Sequence, residues 1–326
     1  MKKLFSALLA LALVMSVSTA AFATAPAKPE DVQPVIYKTY QVNKGTAPAQ
    51  NFTFSFEAVS YTNGDGNVVE DASIPEIADA TIHFDAISET TKESTSLAIN
   101  AGDYELGVYK YLVKETAGNT AGVTYSTKQY YLVLTIYRDE QSNKHFVGAF
   151  HYESLDDDKK QDMRNEGFVN TYDSGSLTVE KYIAGNMADM SKEFTFTISF
   201  NVAEGKSWDA SSIVVSSNNG KWSEKDGYHI YTVDLGDRES VTFSNLPAGV
   251  TYEVGEDSEN YESVKTVSDE SMTIEANDED DVAFTNTLTN EIDTGISMDS
   301  LPYILMLAAA AVGMVVFFAK KRSHNA

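Results

Sequence analysis

Val35-Ile36-Tyr37-Lys38-Thr39-Tyr40, followed by Phe52-Thr53-Phe54-Ser55-Phe56, returns later in the chain as Leu177-Thr178-Val179-Glu180-Lys181-Tyr182, followed by Phe194-Thr195-Phe196-Thr197-Ile198. Each stretch alternates apolar with polar residues and is rich in Val, Ile, Thr, Tyr and Phe, the pattern of a half-buried strand. Each is followed by a Tyr-x-Val-x-Glu segment, Tyr111 to Glu115 and Tyr252 to Glu256. Each unit closes on Phe-x-Asn, at Phe168-Val169-Asn170 and Phe284-Thr285-Asn286. The lysine-to-glutamate separations nearly match, 77 residues from Lys38 to Glu115 and 75 from Lys181 to Glu256. The chain therefore contains an internal repeat, with Asp173-Ser174-Gly175-Ser176 as a compact linker.

Working outward, other strands are predicted over Tyr130 to Tyr137, His145 to Tyr152 and Ile213 to Val215. Turns are expected at Asn63-Gly64-Asp65-Gly66, Asn218-Asn219-Gly220, Asp226-Gly227 and Pro247-Ala248-Gly249. No long helical period occurs between residues 30 and 290. The expectation is an all-β protein of two tandem immunoglobulin-like β-sandwiches, over residues 24–173 and 174–290.

Both ends read as addresses. Lys2-Lys3, an apolar run to Val17 and Ala21-Phe22-Ala23 predict a signal peptide over 1–23. Residues 291–326 read as a sorting segment, with an apolar span over 303–319 and the basic tail Lys320-Lys321-Arg322 from 320 to 326. The part between is then extracellular. The whole chain carries 24 Lys and Arg against 48 Asp and Glu; leaving out residues 1–23 and 295–326 removes five basic residues but only Asp299 among the acids, so the exported part stands at −28. That charge argues against nucleic acid and anionic membranes as partners. The chain has no cysteine, so an exported domain must be stapled by something other than a disulfide.

The repeated lysine, glutamate and asparagine offer such a staple. If the first and last strands of each unit are neighbours, the lysine amine meets the asparagine amide inside the core. Burial favours the free amine, which is nucleophilic. A desolvated carboxyl beside them is easily protonated, polarises the amide and shuttles protons. The product is a Lys–Asn isopeptide bond with loss of ammonia.

In these features the chain resembles the backbone, or shaft, pilins of Gram-positive bacteria, of the streptococcal T-antigen or FctA type. The resemblance covers nearly all of the mature chain and is most specific over Tyr111 to Tyr137, Ser176 to Phe200, Leu246 to Glu256 and Phe284 to Arg322. It implies that Lys38 bonds Asn170 with Glu115 assisting, and that Lys181 bonds Asn286 with Glu256 assisting. Lys44 is a rival for Lys38, but Gly45 beside it suggests a turn. The resemblance also implies that a sortase cuts between Thr294 and Gly295, although Asp293 stands where sorting signals carry proline. It further implies that Lys160 or Lys159 of the next copy takes the acyl group. The partners so implied are a sortase, further copies of the chain, cell-wall peptidoglycan, accessory pilins and host-surface ligands, and the location is a wall-anchored fibre. A monomeric wall-anchored adhesin or an accessory or basal pilin is the alternative.

Other signals carry less. Asn63 to Asn67 spaces oxygen ligands as calcium loops do, but lacks the glutamate such loops need, so it reads as a turn. The five histidines are scattered, and Trp208 and Trp222 read as packing residues. Asp293-Thr294-Gly295 matches the aspartic-protease triplet, but that chemistry needs two such aspartates. With no phosphate loop and no Ser/His/Asp arrangement, the sequence points to a structural protein that needs neither cofactor nor metal.

Overall fold

The computed structural model describes residues 31–155, 160–216 and 219–290. The predicted signal peptide, Lys159, the Thr294-Gly295 pair and the apolar segment 303–319 lie outside these residues. Among the described residues, no helix is long and apolar enough to cross a membrane.

Strands are numbered along the chain. In the first domain one sheet is ordered β4 (Thr91–Ser96), β1 (Val35–Val42), β10 (Phe168–Tyr172) and β6 (Val123–Thr124). The facing sheet is ordered β3 (Ala80–Phe84), β2 (Gln50–Asn63), β5 (Gly107–Glu115), β7 (Gln129–Arg138), β8 (His145–Ser154) and β9 (Lys160–Gln161). In the second domain one sheet runs β13 (Val214–Val215), β16 (Ser240–Pro247), β11 (Ser174–Ala184), β19 (Glu279–Thr287) and β18 (Glu262–Val267). Its partner sheet runs β14 (Lys221–Lys225), β15 (Tyr228–Leu235), β12 (Phe194–Asn201) and β17 (Thr251–Glu256). The only α-helix among the described residues is one turn, Met163–Glu166. The two hydrophobic cores are separate, one built from residues before Asp173 and the other from residues after Gly175.

The repeat in the sequence is a repeat of topology. In each domain the first strand pairs with the last, and the pairing is parallel: β1 with β10, and β11 with β19. The registers also correspond. Lys38 lies across from Phe168, two residues before Asn170, and Lys181 lies across from Phe284, two residues before Asn286. Strand side chains alternate between faces, so Ile36, Lys38 and Tyr40 all point inward, and all three are fully buried. A lysine in that row is the anomaly of the fold.

The linker is shorter than the sequence suggests. Only Asp173 separates the domains, because Ser174 and Gly175 already pair with Pro247 and Leu246 of β16, with a bulge before Ser176. Two contacts flank this joint. On one side Asn245, at φ 62°, accepts a hydrogen bond from the Thr46 amide at 2.8 Å and donates to the Thr46 carbonyl at 3.2 Å. On the other, Ala121 donates to the Ser207 carbonyl at 2.8 Å and Ser207 to that of Asn119 at 2.9 Å. The Asn63 stretch is a turn, with the Asn63 carboxamide oxygen accepting from the Asp65 and Asn67 amides.

Candidate functional site: two buried lysine, carboxylate and amide triads

Each domain gathers one lysine, one glutamate and one asparagine between its sheets. In the first, Lys38 comes from β1, Glu115 from the end of β5 and Asn170 from β10. Lys38 Nζ donates to Glu115 Oε2 at 2.8 Å, and both side chains are wholly shielded from solvent. Asn170 Nδ2 donates to the other carboxylate oxygen, Oε1. The amide oxygen of Asn170 accepts a hydrogen bond from the Ser126 backbone N–H at 2.7 Å. In the second domain, Lys181 Nζ lies 2.6 Å from Glu256 Oε1, and Asn286 Nδ2 donates to that same oxygen at 3.0 Å. Both lysines and both asparagines are 0% exposed.

The Phe-x-Phe segments of the repeat explain the walls. Phe52 and Phe194 hold equivalent places, with their rings 4.5 and 4.3 Å from the ammonium groups of Lys38 and Lys181. A ring face against the cation offsets part of its lost hydration. Two residues on, Phe54 packs on Phe168 at 4.9 Å, and Phe196 packs on Phe284 at 5.3 Å. The phenylalanine of each Phe-x-Asn is thus fixed by one from the facing sheet, which sets the depth of the asparagine. The sequence shows these phenylalanines but not their task. Ser126 could not be found from sequence at all, because it acts through its backbone.

Desolvation dominates the electrostatics. Burial pushes the Lys38 ammonium down to about 8, even though Glu115 pulls it the other way. Burial likewise lowers Lys181, against an opposing pull from Glu256. A lysine and a glutamate in water differ by roughly 6 pKa units, or about 8 kcal/mol against moving the proton across. Burial shrinks that gap from the lysine side, because the neutral amine needs less hydration than the ammonium. A proton crossing from lysine to carboxylate then leaves a free amine beside an amide, with a carboxylic acid touching both.

This lowering has a measurable consequence in a chain that cannot form the bond. In Asn170→Ala the Lys38 proton is held less tightly folded than unfolded. The unfolded chain therefore binds more protons between about pH 8 and 10.4, and stability rises with pH across that window. We expect Asn170→Ala to gain about 3 kcal/mol between pH 7 and 10.5, relative to the Lys38→Met/Asn170→Ala double variant. Urea titrations of the two variants check this; parallel pH profiles would refute it.

The other predicted residues are placed as follows. Lys44 takes no part in the triad, and instead reaches Glu279 of the second domain at 3.2 Å. Lys160 is exposed on the edge strand β9, opposite Glu153 of β8. Trp208 and Trp222 pack on Phe200, with ring centroids 6.3 and 6.1 Å away.

Two tandem β-sandwiches, each with a shielded lysine, carboxylate and amide bridging its first and last strands, define a class of domain that comparison with known proteins identifies. Residues 34–173, which span the first domain, match the family described as the Spy0128-like isopeptide containing domain, FctA. Residues 175–288 match a domain family of unknown function, DUF7601. The chain is 28% identical over 298 residues to a pilin of Streptococcus pyogenes serotype M1, spanning 85% of this chain and 86% of that one. It is 36% identical over 80 residues to the pilus tip adhesin Cpa of S. pyogenes, a match covering 24% of this chain and 11% of the adhesin. The crystal structure of the S. pyogenes major pilin has the same fold, with a TM-score of 0.52 at 23% identity, over 80% of this chain and all of that one.

Proposed function

We propose that this chain is the shaft subunit of a sortase-assembled surface fibre, and that each domain staples itself with a bond from Lys38 to Asn170 and from Lys181 to Asn286. The observation that carries the reading is the pair of shielded triads, each net neutral, each spanning the first and last strands. The resemblance to a streptococcal pilin along most of the chain supports the fibre.

The chemistry balances within each triad. The lysine ammonium gives a proton to the glutamate and its free electron pair attacks Cγ of the asparagine. Electrons move to Oδ1, the Cγ–Nδ2 bond breaks and Nδ2 leaves as ammonia. Of the five protons on the two nitrogens at the start, one stays on the new amide and three leave with ammonia. The fifth rests on the carboxyl, which ends neutral. Ser126 N–H faces the carbonyl oxygen in the first domain and would stabilise the oxyanion there.

Polymerisation uses different groups. A sortase acylates itself on Thr294, releasing Gly295, and the amine of Lys160 or Lys159 from another copy takes the acyl group. Lys160 suits this role because it stands exposed on a sheet edge. Peptidoglycan would receive the last subunit, and accessory pilins or host ligands would meet the assembled fibre.

The intact mass of the exported part should fall short of its sequence mass by two ammonia molecules. Wall extracts should give a ladder of detergent-resistant multimers that disappears in Lys159→Ala/Lys160→Ala. A full sequence mass would refute the staples. A single wall-linked band in the unaltered protein would refute the fibre and favour a monomeric adhesin.

A further inference from the structure

The two triads are not wired alike. In the first domain the carboxylate divides its contacts, with Lys38 on Oε2 and Asn170 on Oε1. In the second, Lys181 and Asn286 both approach Glu256 Oε1. The remaining oxygen, Oε2, accepts a hydrogen bond from the Ser263 hydroxyl at 2.8 Å. Ser263 stands directly across from Asn286 in the antiparallel ladder of β18 and β19. Residues so opposed share a face, so backbone register delivers the hydroxyl to the carboxyl. A further difference concerns the amide oxygen. Asn170 Oδ1 accepts from Ser126 N–H, whereas Asn286 Oδ1 is buried with no hydrogen-bond partner among the described residues.

We infer that Ser263 is a positioning residue for the second bond: it holds Glu256 with Oε1 turned to the reacting pair and keeps the shuttled proton on that oxygen. The inference rests on the reading that Lys181 and Asn286 join. A hydroxyl donating to Oε2 makes Oε2 the acceptor oxygen of the carboxyl. The proton leaving Lys181 then resides on Oε1, 2.6 Å away. With Oε1 protonated, the Asn286 amide turns its oxygen towards the acid, which also relieves a buried, unpaired carbonyl. As Nζ attacks Cγ, Oε1 passes the proton to Oδ1, and in the absence of a backbone donor this is how the oxyanion is stabilised. The same oxygen then takes a second proton from Nζ and delivers it to Nδ2, which leaves as ammonia, and as the carbonyl re-forms Oδ1 returns the first proton to Oε1, so that the carboxyl ends neutral. The first domain needs no such clamp, since Ser126 N–H already holds its carbonyl.

The test uses valine and threonine, which are close in shape and both favour strands. Ser263→Val removes the hydroxyl and Ser263→Thr keeps it. The full exported chain is made in a short cell-free pulse, quenched in acid at intervals and read by intact mass. We expect Ser263→Val to lose its first ammonia at the wild-type rate and its second about tenfold more slowly, the scale of one hydrogen bond to a charged group. Ser263→Thr should restore the second rate. The first bond in the same molecule reports on folding. Equal second-bond rates for Val and Thr would overturn the role of Ser263. A wild-type chain that never loses a second ammonia would instead overturn the second staple itself.

Discussion

Glu115→Ala should yield a chain that falls short of its own sequence mass by one ammonia where wild type falls short by two, with a first domain that melts roughly 20 °C lower or more. Two losses combine. The bond from Lys38 to Asn170 closes a loop of more than 100 residues, and its removal costs about 5 kcal/mol on the chain-entropy account used for disulfides. The variant also leaves Lys38 buried without its carboxylate. Breaking a buried pair from one side costs about 3–5 kcal/mol, less whatever the lysine recovers by giving up its proton. Against a domain stability of about 5–15 kcal/mol, the sum leaves a marginal fold. Glu256→Ala should do the same to the second domain and spare the first, because the cores are separate. Glu115→Gln divides the two losses. It keeps the side chain's shape and one acceptor oxygen but cannot carry the proton, so it too should fall short of its own sequence mass by one ammonia, while the melting point falls less. Calorimetry with intact mass reads both quantities. A Glu115→Ala chain still short of its own sequence mass by two ammonia molecules would remove the carboxylate from the chemistry.

The triads were legible because the chain states them twice. A single lysine in an alternating strand says little. The same lysine in two units, each followed by Tyr-x-Val-x-Glu and Phe-x-Asn, places three chemistry-bearing residues on three strands. The alternation then sends Lys38 to the face of Ile36 and Tyr40. The parallel sense of the strand pairing was not written there, since it is a matter of how the chain crosses between sheets. Ser263 left no sequence signal either. Its strand, Glu262–Val267, lies at a sheet edge and is exposed along nearly its whole length, so no alternation marks an inward face. β4, Thr91–Ser96, escaped for the same reason: it is a polar edge strand defined by its neighbour β1. The joint was misjudged because Ser174 and Gly175 have the composition of a linker, and only pairing with β16 makes them strand.

Where load enters decides which staple bears it, and here the two domains part company. Pulled from its two ends, the chain passes tension from β1 through Lys38 to Asn170, across Asp173, and from Lys181 to Asn286. Residues 39–169 and 182–285 are bypassed. In the fibre the proposed entry point is Lys160, which precedes Asn170 on the same strand-to-strand segment. Tension then runs along the backbone from residue 160 to 173 without crossing the first staple. The second staple stays in series, because the load enters the second domain at Ser174 and leaves beyond Asn286. The first staple becomes a lateral tie that keeps β10 from being drawn out between β1 and β6. Single-molecule pulling separates these cases. Between the chain ends, wild type should show no unfolding step, while Asn170→Ala and Asn286→Ala should each release on the order of 400 Å of hidden chain. Pulled through Lys160, Asn286→Ala should release the same length, whereas Asn170→Ala should release only the short run from residue 160 to 173, on the order of 40 Å. Equal long steps from both variants in the Lys160 geometry would mean that load enters the first domain elsewhere, and the linking lysine would have to be sought upstream of β1.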